Sequence, residues 1–303
     1  MSRAGEESAV VAIDVGGTKI ALALVAGPQL KIVERKLLPT PPIEASGAAL
    51  LDQVATEATG LAGTTKVAGV GLAICELVGG GGAIGSGFRI AWQGLSVADS
   101  LSRIAPLVIE ADVHAAAAAE ARLGSGRPFR SFLYVGLGTG VSACWVVGGQ
   151  PHKGVNGHAL VLASSPLSPD CDTTLEEIAG GEGMLRRYRD RGGYPRAVMP
   201  EVLARAEAGD TVALGVVEHA AHALGCALGM VLGLLDPEAL IVGGGLGCAP
   251  GPYWRALQEQ VRGHIWSEQT RRLPILQSSL GPDGALLGAA LAAFDLAARP
   301  RSP

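Results

Sequence analysis

Aromatic residues are scarce in this chain, at 4% of 303 residues. A core so poor in rings must be built from Val, Leu, Ile and Ala, and the 44 glycines imply many backbone turns. Charge is scarce too: 17% of residues are charged against 48% hydrophobic, which excludes a disordered chain and implies a large buried core. Excess positive charge is lacking. The net charge of −4 offers no electrostatic footprint for nucleic acid, so no nucleic-acid partner is expected. A phosphate-handling protein of this balance must hold its anion locally, through backbone amides and metal.

Paired cysteines are also missing. Cys75, Cys144, Cys171, Cys226 and Cys248 are scattered and odd in number, and no CxxC occurs. A disulfide framework is therefore not expected, and a reducing cytoplasm is the expected compartment. The opening MSRAGEES is polar and acidic, and the apolar run after it is short and broken by Asp14, so it does not read as a signal peptide. The longest apolar stretch, from Val212 to Leu235, contains Glu218, His219 and His222. That composition predicts a buried helix rather than a membrane span. His219 and His222 lie three apart with no evident third ligand, which favours helix packing over metal. The arginines at 186, 187, 189 and 191, with Tyr188, read as a solvated helix face.

What is present is a pattern that occurs twice. Val10–Val15 and Ile20–Val25 read as strands joined at Gly16-Gly17, a hairpin in which glycine supplies unusual backbone angles. Gln29–Glu34 continues the meander. A helix over Ala45–Leu61, a buried strand over Lys66–Ala73 and a glycine-rich loop at Gly79–Gly87 follow. Ser96–Ile104 predicts a helix, Leu107–Glu110 a strand and Val113–Leu123 an Ala-rich helix. Gly124 to Pro128 reads as a linker. Ser131–Gly136 and Val141–Val147 then repeat strand, glycine turn, strand. Helices over Leu175–Arg191, Pro200–Glu207 and Asp210–Leu235, a strand over Ala239–Val242, a helix over Tyr253–Ile265, a strand over Leu273–Gln277 and a helix over Gly284–Ala298 complete the chain. The length suits two α/β lobes: residues 1–124 and 125–283, with 284–303 packing back on the first.

Three glycine loops carry the chemistry. In Ile13-Asp14-Val15-Gly16-Gly17-Thr18-Lys19 the glycines allow close approach of backbone to a polyphosphate, and consecutive amides can form an anion nest. Thr18 and Lys19 offer a hydroxyl and a cation, and Asp14 is placed to hold Mg2+ through water. The GxxxxGK[ST] loop is absent. Gly138-Thr139-Gly140 stands at the same relative place in the second half, so the two turns are expected to face one nucleotide from opposite lobes. Gly243-Gly244-Gly245, after a strand, lets an adenine or ribose lie against bare backbone.

These motifs together resemble the ROK family of repressors, ORF proteins and sugar kinases, and more broadly the actin-like hexokinase superfamily. IDVGGTK resembles the family's first phosphate motif, LGTGV its second, DPEALIVGGGLG its adenosine motif and SSLGPDGALLGAALAA its C-terminal helix. The resemblance runs over nearly the whole chain. It implies an actin-like ATPase (hexokinase/ribonuclease H-like) α/β fold of two lobes with a nucleotide cleft, ATP and Mg2+ as cofactors, and a homodimer.

On the acceptor side the resemblance is broken. In Glu110-Ala111-Asp112-Val113-His114, Asp112 falls on the family's catalytic base, needed because the attacking hydroxyl must lose its proton. The Asn that grips the sugar has become Ala111. The Glu and His of the family's sugar motif align with Val161 and Ser164, with Asn156, Gly157 and His158 a few residues earlier. The cysteine-rich zinc motif keeps only Cys171, so no structural zinc is expected. Glu176 falls on a Glu that contacts the sugar. The family's Pro-Gly becomes Cys75-Glu76, and its Asn becomes Phe88 beside Arg89, with Trp92 retained. Glu76, Arg89, Glu110, His114, Asn156, Gly157, His158 and Glu176 are the candidate acceptor-binding residues. Glu76 and Glu110 suit an ammonium group by charge-assisted hydrogen bonding.

The resemblance therefore implies phosphorylation of a primary hydroxyl on a small sugar. An amino sugar of the kanosamine type is the preferred acceptor, and a C7-cyclitol the close rival, with a glucokinase-like hexose kinase as a further alternative. A repressor is disfavoured, since the first strand begins about ten residues in and leaves no room for a helix-turn-helix. A catalytically silent sugar-binding protein is disfavoured by retention of Asp14, Lys19 and Asp112.

Overall fold

The computed structural model describes residues 8–168 and 171–299, with the side chains of 167–171 outside the description. The expectations on residues 1–7, Cys171 and 300–303 lie outside it. The chain divides into two units. Unit 1 holds residues 8–119, 153–159 and 283–299; unit 2 holds 120–152, 160–168 and 171–282.

Unit 1 is built on β1 (Ala9–Val15), β2 (Lys19–Ala26), β3 (Lys31–Pro39), α1 (Gly47–Ala62), β4 (Val67–Ile74), α2 (Val97–Leu101), β5 (Leu107–Ala111) and α3 (Asp112–Arg122), whose last residues belong to unit 2. The sheet order is β3-β2-β1-β4-β5. β2 runs antiparallel to β1, while β4 and β5 run parallel to it. The sequence explains the placement: β1, AVVAIDV, is buried along nearly its whole length, whereas β3, KIVERKLLP, is largely exposed and charged, as an edge strand should be. The third strand begins later and runs further than Gln29–Glu34, because the β2–β3 turn occupies 27–30, with Gly27 at φ 69°. α1 starts at Ser46, whose hydroxyl accepts the Ala49 N–H, and stops at Gly63 with φ 51°.

The shortage of rings is met by backbone-close packing. A Cβ on Gly71 of β4 would stand 1.9 Å from the carbonyl oxygen of Ala289, on the C-terminal helix Gly284–Ala298, and one on Gly288 would stand 2.0 Å from that of Ala115. Only glycine permits these approaches. The segment 153–159 joins unit 1 rather than the second lobe expected for it. Gly157, at φ 80°, presses against the Val78 carbonyl, which a Cβ would meet at 2.2 Å. The crossing between units falls inside α3, after Ala119, and not at Gly124–Pro128.

Unit 2 repeats the plan. β6 (Ser131–Leu137), β7 (Val141–Val147) and β8 (Gln150–Pro151) form the meander, and a two-stranded ribbon, β9 (Pro166–Ser168) and β10 (Cys171–Thr174), follows. After it come α4 (Leu175–Ala179), α5 (Gly181–Asp190), α6 (Met199–Glu207), α7 (Thr211–Leu235), β11 (Ala239–Gly243), α8 (Gly244–Gly247), α9 (Pro252–His264), α10 (Glu268–Arg271) and β12 (Ile275–Gln277). The sheet order β12-β11-β6-β7-β8 is the order of the first sheet read from its other end, with the same parallel and antiparallel pairings. α7 is the one helix among the described residues long and apolar enough to cross a membrane. Its apolar residues are largely buried in the unit's core, and α9 lies so close that Cβ atoms on Gly225 and Gly229 would crowd Gln260 and His264. His222 bonds Gln260 at 2.8 Å, a packing role.

Two expectations fail here. Leu175–Arg191 is not one helix: Gly180 is extended (φ −72°, ψ 153°) and separates α4 from α5. Nor is the arginine-rich segment simply a solvated face. Tyr188 is buried, and Arg187 and Arg189 donate to the carbonyls of Ile178 and Ala197.

Candidate active site

In unit 1 three neighbouring parallel strands end together. Val15 of β1 pairs with Ile74 of β4, and Ile74 pairs with Ala111 of β5. This register gathers Asp14, Cys75, Glu76 and Asp112, distant in sequence, at one sheet edge, where α/β folds place their ligands. Burial, then the charges of Asp112, Glu76 and Asp14, push the Cys75 thiol up. Asp14 is half-exposed by surface, yet its carboxyl is lined by protein. Burial first, and Asp112 second, raise its pKa to about 7, against the opposing pull of Lys19. Asp112 opens α3, and its Oδ1 accepts the Val113 N–H at 2.6 Å.

The hairpin after β1 is held from behind. The carbonyls of Gly16 and Thr18 accept from Thr40 Oγ1 (2.7 Å) and Thr40 N (3.1 Å), and that of Gly17 accepts from Arg89 Nε at 2.6 Å. Neither Gly16 nor Gly17 has positive φ, contrary to the expected unusual angles. At Gly16 the requirement is space instead, since a Cβ would lie 3.1 Å from the Lys19 carbonyl. With its carbonyls turned to protein donors, the turn can offer amides to an anion. The oxygen-rich pair Asp14 and Asp112, crowded enough to raise one pKa, fits a hard divalent cation. Mg2+ would be held by Asp14 and would supply charge neutralisation at a phosphate.

Glu76 does not face a ligand. It is buried, and its Oε1 accepts the N–H groups of Arg89 (2.6 Å) and Ile90 (2.7 Å), while Oε2 accepts from Phe88 N (3.1 Å) and the Ser86 hydroxyl. This carboxylate staples the 86–90 loop, and its expected role as an ammonium partner is withdrawn. Glu110 is also engaged: both its oxygens bond Lys153 Nζ, at 2.7 and 2.5 Å. His114 is buried. Burial first, then Lys153 and His158, push its pKa down to about 4, so it is neutral at pH 7. The 153–159 segment thus brings Asn156, Gly157 and exposed His158 to the side of unit 1 that carries Glu110 and His114. The Phe88 side chain is 83% exposed.

Glu76→Ala is expected to lower stability by roughly 2–4 kcal/mol, because buried donors lose charged acceptors. It should impair amino and neutral acceptors alike. Thermal melts and paired acceptor kinetics check both; a selective loss on amino sugars would restore the ammonium reading.

In unit 2 the turn Gly138–Gly140 lies at the end of β6, beside Gly243 at the end of parallel β11. The break at Gly180 matters here, since it lets the N–H groups of Gly181 and Glu182 bond the carbonyls of Gly138 (2.9 Å) and Thr139 (3.0 Å). Glu176 lies in unit 2 at this turn: its Oε2 accepts the Val141 N–H at 3.0 Å, and a Cβ on Gly140 would collide with it. The triple glycine has separate reasons for each member. A Cβ on Gly243 would strike the Tyr134 hydroxyl, Gly244 has φ 79° and abuts the Leu137 carbonyl, and Gly245 faces open space.

A family model for the ROK family matches residues 10–295. The chain belongs to the ROK family. This ROK protein is 27% identical over 316 residues to a glucokinase of Halalkalibacterium halodurans, covering 92% of each chain. It is 28% identical over 296 residues to an N-acetylmannosamine kinase of Shigella boydii, covering 93% of this chain and 97% of that one. The crystal structure of a ROK family glucokinase from Streptomyces griseus in complex with glucose and AMPPNP matches with a TM-score of 0.85 at 24% identity, over 95% of this chain and 100% of that one. The last likeness shows the fold: two mixed α/β sheets of the actin-like ATPase type.

Reading the ROK protein's sequence alone missed Thr40, Ser86 and Lys153. Each is a common polar residue with no local motif, and each matters only through a partner 10 to 43 positions away.

Proposed function

We propose that this chain is an ATP-dependent sugar kinase, a phosphotransferase that acts on a primary hydroxyl of the 6-OH type, with Asp112 as base. The observation that carries the reading is the strand register that sets Asp112 and Asp14 together beside the Gly16-Gly17 hairpin. Gly16, Gly17, Thr18, Lys19, Gly138, Thr139, Gly140, Gly243, Gly244 and Gly245 are the residues assigned to ATP, and Asp14 to Mg2+ through water. Relatives that are glucokinases and an N-acetylmannosamine kinase support a sugar acceptor. So does the Streptomyces griseus protein crystallised with glucose and AMPPNP. A silent binding protein has no use for a base set against a phosphate hairpin.

For the acceptor, the engaged state of Glu76 and Glu110 favours a neutral polyol over the amino sugar expected from sequence. A C7-cyclitol bearing an exocyclic CH2OH, or a hexose, needs no carboxylate partner, and Glu76 is held by backbone amides and Glu110 by Lys153. Phosphorylation with Mg-ATP should be screened against glucose, kanosamine, glucosamine and C7-cyclitols. A neutral acceptor is expected to give the highest kcat/KM. Preference for an amino sugar would overturn that assignment, and turnover with none would count against the kinase reading itself.

A further inference from the structure

Arg89 is held at its backbone N–H and at its side-chain Nε, yet its charge is not neutralised. Its backbone N–H is fixed by Glu76 Oε1 at 2.6 Å and its Nε by the Gly17 carbonyl at 2.6 Å. Both oxygens of Glu76 are already taken by three backbone amides and the Ser86 hydroxyl. Among the described residues Arg89 forms no ion pair, and its two terminal nitrogens make no hydrogen bond. A guanidinium makes its strongest hydrogen bonds as a bidentate donor to a carboxylate or a phosphate. Here its Nε is anchored to a neutral carbonyl, which leaves the two terminal nitrogens able to donate to an anion.

The place selects what that is. Gly17 is the middle of the hairpin assigned to the donor's phosphates. The loop carrying Arg89 follows β4, the strand that lies between β1, which carries Asp14, and β5, which leads directly into Asp112 at the start of α3. Arg89 Nε, on the Gly17 carbonyl, therefore stands at the hairpin that leaves the same group of strand ends. A planar fork matches two phosphate oxygens, and an arginine supplied in cis can stabilise charge on a transferring phosphoryl group. Building on the kinase reading, we propose that Arg89 contacts the γ-phosphoryl group of ATP, positioned for this by Glu76 and the Gly17 carbonyl. It is then not the acceptor ligand that the sequence pattern implied.

The test compares two nucleotides that differ in that group. Calorimetric titration with Mg-AMPPNP and Mg-ADP needs no acceptor. Arg89→Ala is expected to weaken AMPPNP by about tenfold or more, with ADP affinity held within about twofold. Arg89→Lys keeps a point charge without the fork and should lose less of the AMPPNP affinity; it carries the test if thermal melts show that the alanine variant is unfolded. Equal loss on both nucleotides would mean that Arg89 only shapes the hairpin, and unchanged AMPPNP affinity would mean that it touches no γ-phosphate. Either result overturns the proposal and leaves the kinase reading standing. Wild-type protein that binds neither nucleotide would overturn both.

Discussion

Asp112→Asn is expected to reduce kcat by roughly 10²–10⁴-fold or more with little change in affinity for Mg-ATP. The carboxylate opens α3 directly after β5, and its Oδ1 is fixed on the Val113 N–H at 2.6 Å. A side chain fixed at a helix N-terminus is held in place, as a base that must accept the acceptor's proton requires. Asparagine retains an oxygen for the Val113 N–H, so the helix start and the fold should survive. What it removes is the proton acceptor. Steady-state kinetics with the best acceptor of the screen, beside nucleotide titration, separates the two effects. Turnover that survives the substitution would sink the assignment of Asp112.

Asp14→Asn should abolish most turnover and, in metal-free protein, raise stability at the same time. Burial, reinforced by Asp112, raises the Asp14 pKa from 3.8 to about 7. Between these values the folded state holds a proton that the unfolded state releases. Stability from this group is therefore complete at low pH and is lost as pH rises toward 7, where ionised Asp14 costs on the order of 4 kcal/mol. His114 has the opposite sign. Its pKa is pushed down to about 4, so its contribution is present above the ordinary value of 6.5 and is lost as pH falls through the folded value. The two slopes oppose each other over about pH 4–7. Melts in EDTA should show Asp14→Asn gaining several degrees at pH 8 and much less near pH 4, while His114→Gln flattens the loss on acidification. A gain for Asp14→Asn that is independent of pH would contradict this account.

The double nature of these carboxylates bears on how a destabilised site persists. Asp14 and Asp112 are kept close although one raises the pKa of the other, a crowding that a divalent cation bound there would relieve. Gly71 and Gly288 hold the C-terminal helix against β4 and α3 at backbone distance.

The local sequence by itself determined the parts whose physics is local: buried alternating strands, the glycine turns between them, the capped helices and the repeat that makes two similar sheets. Asp14, Asp112 and the three glycine loops were legible because each sits inside a short motif at a strand end. Tertiary structure alone decided what the remaining polar side chains do. Glu76, Glu110 and Glu176 look alike in sequence, as carboxylates near an acceptor. One is taken by the Ser86 hydroxyl and by amides 12 to 14 residues later, one is paired with Lys153, and one accepts the Val141 N–H. Hydrogen-bond satisfaction in a folded interior is a property of neighbours in space, and no spacing along the chain specifies it. For the same reason the aromatic poverty foretold an aliphatic core, while the close helix–strand and helix–helix contacts that fill it became visible only at Gly71, Gly225, Gly229 and Gly288.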